Sequence, residues 1–78
     1  MESTHRADVV SASDLKVGDV ISDDIACKIS AINRFDDGTL TLHVLDGNGW
    51  RYMIHAVEQS RFTRFNWSED EWAEYLAL

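Results

Sequence analysis

From residue 25 to residue 57 apolar and polar positions alternate with a period of two, the pattern of half-buried strands. In residues 25–33, Ile25, Cys27, Ile29 and Ala31 fall on one face. Ile32 breaks the alternation, and a β-bulge there would return it inward. Residues 39–45 send Leu40, Leu42 and Val44 one way and Thr41, His43 and Leu45 the other. Residues 50–57 set Trp50, Tyr52, Ile54 and Ala56, read as core, against Arg51, Met53, His55 and Val57. Two shorter strands are predicted at 15–21, bent at Gly18-Asp19, and at 61–65.

Turn chemistry links these strands into hairpins. Phe35-Asp36-Asp37-Gly38 reads as a four-residue loop with Gly38 free to take positive φ. A three-residue loop at 47–49 pairs residue 46 with 50, 44 with 52 and 42 with 54, with Gly49 left-handed. A two-residue loop would mix the faces. Further on, Ser68 and Glu71 form a capping box, and Glu69, Asp70 and Glu71 suit the positive end of a helix. Trp67 and Trp72 occupy hydrophobic-staple positions, and Trp72, Tyr75 and Leu76 share one face, so a helix over 68–78 packs on the strands. Residues 1–13 show no period and are read as a flexible arm preceding one domain at 14–78. Five short strands with tight turns and one late helix predict an all-β fold, a small barrel.

Leu15-Lys16-Val17-Gly18-Asp19-Val20-Ile21 resembles the opening strand of SH3-like barrels, where Gly-Asp begins a turn. It is similar to segments of short uncharacterised bacterial and phage proteins. The resemblance implies a five-stranded SH3-like barrel over residues 14–65 and carries no functional residue with it.

Composition then narrows the function. The 78 residues hold 14 acids and 7 Lys and Arg, a formal charge of −7. Such a balance disfavours broad contact with nucleic-acid backbone or anionic lipid. No apolar run approaches the ~20 residues of a membrane span, and the first residues lack the basic and apolar stretches of a secretion signal. Cys27, the single cysteine, cannot form an internal disulfide and fits a reducing compartment, the cytoplasm.

Candidate chemistry is sparse. His43 and His55 lie diagonally on one predicted face, but a structural metal site wants four ligands, and Cys27 points away from them. Neither a metal nor a cofactor is expected. A mid-strand cysteine with no basic neighbour is inert, and no phosphate loop, dinucleotide fingerprint or nucleophile elbow occurs. The paired carboxylates stand at turns and a helix start, where acids are expected for local reasons. These features predict a non-enzyme.

Three binding readings remain. The first is a protein-binding module, self-association included, that uses Arg51, Met53, His55, Arg64 and Tyr75. The second is an acidic phosphate mimic that blocks a nucleic-acid enzyme through Asp23, Asp24, Asp36, Asp37, Glu69, Asp70 and Glu71. The third is a single-strand binder in which Arg51, Arg61 and Arg64 interleave with aromatics.

Overall fold

A computed structural model describes residues 7–77. The chain runs β1 (Ala7–Ser11), a 3-10 turn (Ala12–Asp14), β2 (Val20–Asp23), β3 (Ile25–Arg34), β4 (Thr39–Asp46), β5 (Arg51–Val57), β6 (Arg61–Phe65) and α1 (Glu69–Leu76). All strands belong to one antiparallel sheet of order β1-β6-β2-β3-β4-β5. The fold is mainly β, as the alternation predicts. The strand count is six rather than five, and the sheet is open rather than a closed barrel, because β1 and β5 are edges that do not pair.

The sixth strand comes from residues read as part of an arm. Ala7–Ser11 pairs with Arg61–Phe65, Val10 packs on the core and Ala12 is fully buried. A run of five residues is too short to show a period against its polar neighbours. The remainder of the expected arm, residues 1–6, lies outside the described residues. The opening segment 15–21 also differs from expectation. It is a turn, with Gly18 at φ 97°, that leads into β2 only at Val20. Leu15 is buried while Val17 is exposed.

Both central hairpins use the same three-residue loop. Phe35 N–H donates to the Thr39 carbonyl at 3.0 Å, so the first loop is 36–38, one residue shorter than predicted. The second has the predicted register, with Val44 opposite Tyr52 and Leu42 opposite Ile54. Gly38 and Gly49 close the loops at φ 86° and 88°, where a side chain would be strained. The bulge in β3 falls between Ile29 and Ala31, turning Ile32 inward as expected and Ala31 out to solvent.

Two clusters hold the sheet. On the inner face Leu15, Ile21, Cys27, Ile29, Leu40, Leu42 and Val44 are buried with Ala12, and Tyr52, Ile54, Ala56 and Phe62 pack against them. Residues of both halves of the sheet share this cluster, so the sheet curls over its own core. On the opposite face Val20, Ala26 and Trp72 form a second cluster with Phe65, Trp67 and Tyr75. This is where α1 docks. Its capping box is complete, with Glu71 N–H donating to Ser68 Oγ at 3.1 Å and Ser68 N–H donating to Glu71 Oε1 at 2.7 Å. Trp67 and Trp72 meet as a staple, ring centroids 6.3 Å apart.

Candidate functional site

The helix covers only part of the outer face. The remainder, over β4 and β5, carries Thr41, His43, Arg51, Met53, His55 and Val57, all of the parity opposite to the core. Two shallow grooves cross it. One, of about 610 Å³, is lined by residues that include Phe35, Thr41, His55 and Val57. The other, of about 320 Å³, is lined by Ser30, His43, Val44, Arg51, Tyr52 and Met53. Neither lining contains a carboxylate, although the chain holds 14 acids. Met53 is 55% exposed and Val57 47%.

Trp50 departs most from expectation. The alternation assigns it to the core, yet it is 71% exposed, the largest value among the exposed large apolar residues. Its parity is as predicted, but it stands opposite Asp46 at the closing pair of the hairpin and belongs to neither core cluster. Asp46 is buried and its carboxylate accepts from Asn48 N–H at 2.8 Å and Trp50 N–H at 3.0 Å. The loop backbone is thereby fixed while the indole stays exposed.

Of the five residues assigned to a protein-binding surface, Arg51, Met53 and His55 stand together on β5. Arg51 has no ion pair among the described residues. Arg64 is on β6 and is committed elsewhere, 3.1 Å from Asp8 and 3.8 Å from Asp19. The Asp8 hydrogen bond holds its guanidinium pKa above the ordinary value. Tyr75 packs between Trp67 and Trp72, at centroid distances of 5.2 and 5.6 Å, and leans over Gly47. Both residues hold the fold together. The sequence does not separate them from Arg51, because pairing between distant strands is not local.

His43 and His55 take the predicted diagonal positions, opposite Met53 and Thr41. Asn33 Nδ2 donates to His43 Nε2 at 3.0 Å, and His55 Nδ1 lies 3.1 Å from Thr41 Oγ1. Among the described residues no group of three or more His, Cys, Asp or Glu is placed to hold a metal ion. Cys27 is fully buried, and burial pushes its thiol pKa up.

The acids do not gather. Asp23 ends β2 and Asp24 is the turn into β3, whereas Asp36 and Asp37 lie in the loop after the far end of β3. Asp23 accepts from Tyr52 Oη at 3.3 Å, and Asp24 sits in the turn at φ 68°. Asp37 accepts from Thr39 N–H at 3.1 Å and Thr39 Oγ1 at 2.6 Å, which lowers its pKa. Glu69 pairs with Lys28 at 2.9 Å and Glu71 caps the helix, while Asp70 and Asp36 are exposed. Arg61 is exposed at the start of β6.

No protein-family model, curated protein or solved structure matches the chain. No helix among the described residues is long and apolar enough to cross a membrane.

Proposed function

We propose that this chain is a non-catalytic protein-binding module that docks its partner on the outer face and free edge of β5. One observation carries the reading. In a chain of charge −7, Met53 and Val57 are exposed on the outer face of an edge strand, exposed Trp50 immediately precedes that strand, and the grooves on the face hold no acid. Exposed apolar residues bordered by polar ones are what protein interfaces use. The non-catalytic part rests on an inert buried thiol and on carboxylates committed to turns, caps and ion pairs. The single cysteine supports a reducing compartment, the cytoplasm.

A second reading has one specific support. Exposed Trp50 and its sequence neighbour Arg51, which has no ion pair among the described residues, supply a stacking group and a cation for phosphate, the parts a single strand needs. It has fewer cations than expected, because Arg64 is held by Asp8 and Asp19. Phosphate mimicry has less support, since its acids divide among the turn before β3, the loop after it and the first turn of α1, and several are held by local hydrogen bonds or an ion pair.

Affinity capture from lysate, with and without nuclease and at two salt concentrations, tests these readings. A protein that survives nuclease and high salt is the expected result. It should be lost with Arg51→Glu plus Met53→Asp and kept with Asp36→Lys plus Asp37→Lys. Recovery that disappears with nuclease would replace docking with strand binding. Loss through the Asp36 and Asp37 changes would favour mimicry.

A further inference from the structure

The hydrogen bonds that close the second hairpin decide which way the β5 backbone points. Asp46 N–H donates to the Trp50 carbonyl at 3.0 Å, and Glu58 N–H donates to the Gly38 carbonyl at 3.0 Å. Both pairs belong to the register that sets 44 opposite 52, 42 opposite 54 and 40 opposite 56. Backbone groups alternate sides along an antiparallel strand. The even residues of β5 therefore bond to β4, and Arg51, Met53, His55 and Val57 point away from the sheet. Val57 is closed off by the following turn, donating to Ser60 Oγ at 3.2 Å and accepting from Ser60 N–H at 3.0 Å. Arg51, Met53 and His55 remain, with outward N–H and C=O groups that have no partner among the described residues.

Free edges are normally protected by proline, lysine, a bulge or a covering element. β5 has no proline, lysine or bulge, the Ala12–Asp14 turn comes near it without bonding to Arg51, Met53 or His55, and Arg51 is the one Lys, Arg, Asp or Glu in the strand. It also lacks carboxylates, whereas the other edge, β1, carries Asp8.

We propose that two copies of this chain pair β5 with β5, antiparallel about a two-fold axis at Met53, and join their sheets into one. The proposal rests on the protein-docking reading and names the occupant. Full use of the three free residues requires Met53 to face Met53 of the second copy, with Arg51 facing His55 in both directions. That register forms about six backbone hydrogen bonds. It also places residue 52 across from 54 and residue 50 across from 56. Trp50, 71% exposed in the single chain, then lies over the small Ala56 of the second copy on the core side of the joined sheet. Met53, 55% exposed, covers its own counterpart on the outer side. A foreign acidic strand would satisfy Arg51 but offers no fixed partner for Trp50 or Met53. Two chains of −7 repel each other, and an acid-free edge is where they approach with least repulsion.

Sedimentation of the full chain from ~1 to ~500 μM should show a reversible monomer–dimer equilibrium, with Kd in the micromolar range expected of a small interface. Raising salt from ~20 to ~150 mM should tighten it several-fold by screening the net charge. Met53→Pro removes only an outward N–H, and edge positions tolerate proline. It should weaken association at least ~10-fold with an unchanged circular dichroism spectrum. Met53→Cys should cross-link to itself under mild oxidation, so the test stands even if the proline variant does not fold. Arg51→Cys should cross-link with His55→Cys and not with itself. A wild type monomeric at ~500 μM, or a dimer without the residue-53 cross-link, overturns the pairing. If the wild type is monomeric but Met53→Pro abolishes capture of a foreign protein, docking at β5 stands and only the second copy fails. If Met53→Pro, correctly folded, leaves both association and capture intact, both readings fail.

Discussion

Replacing Gly47 with alanine tests whether the hairpin loop and the helix are fitted to each other. An added Cβ at Gly47 would lie 2.6 Å from Tyr75 Cε2 and 3.1 Å from Tyr75 Cζ and Oη. Comfortable carbon contacts are about 3.5–4.0 Å, so the ring must move by roughly an ångström. Trp67 and Trp72 flank it, and Trp72 is only 6% exposed. Overpacking of this kind costs about 1–3 kcal/mol. Gly47 is not among the glycines at positive φ, so alanine suits its backbone and restricts the unfolded chain, a gain of about 0.4–1 kcal/mol. The net expectation in the wild type is a loss of about 0–2.6 kcal/mol. Domains of this size are stable by about 4–12 kcal/mol, so the change is measurable. In a Tyr75→Ala background only the backbone gain remains, and Gly47→Ala should be neutral or stabilising. Urea titration followed by tryptophan fluorescence gives all four corners of the cycle, with an unchanged m-value confirming comparable unfolding. An equal effect of Gly47→Ala with and without Tyr75 would refute the contact argument.

Other perturbations test the remaining parts. Trp72→Ala should cost about 3–5 kcal/mol and release α1, seen as loss of helical signal before the sheet unfolds; a cost near 1 kcal/mol would mean the second cluster is not packed. Ser68→Ala removes one half of the capping box and should cost about 0.5–2 kcal/mol in the same titration. Burial raises the pKa of Cys27 above its ordinary 9.0, and burial with the Cys27 hydrogen bond raises that of Tyr52 above 10.0. Both acids lose their protons more readily in the unfolded chain, so stability is full below about pH 9 and falls as pH rises beyond it. Urea midpoints that stay flat to about pH 11 would contradict this, whereas Cys27→Ala should make the decline shallower.

Strand type and hairpin register were legible because they are local. Leu40, Leu42 and Val44 alternate, and a loop ending in Gly49 admits one register that keeps Tyr52 and Ile54 on their face. The capping box and staple of α1 were legible for the same reason, as contacts within one turn. Sheet order was not. β6 lies between β1 and β2, a long-range arrangement that no spacing reveals, and with it went the role of Arg64. Arg34 went unrecognised likewise: it donates to the Leu15 carbonyl at 3.0 Å, tying β3 to the turn before β2. For Trp50, parity fixes the face but not the burial, and the residue is exposed. The free edge of β5 was within reach, since the closing pair of a three-residue loop already states which backbone groups point outward.

That edge allows a last test, which separates folding from association at one position. Met53 is 55% exposed and touches the outer face only, so Met53→Lys should change stability by no more than about 0.5 kcal/mol. Lysine on an open edge is a common means of preventing strand addition. In the twofold register two lysines would face each other on the outer side of the joined sheet, close to two arginines. Like charges opposite one another on adjacent strands are destabilising. Met53→Lys should therefore sediment as a monomer wherever the wild type dimerises, and salt should only partly restore association. Met53→Leu, which keeps the apolar contact, should leave the equilibrium nearly unchanged. If lysine and leucine behave alike, side chains at position 53 do not meet, and the edge of β5 is managed in some other way.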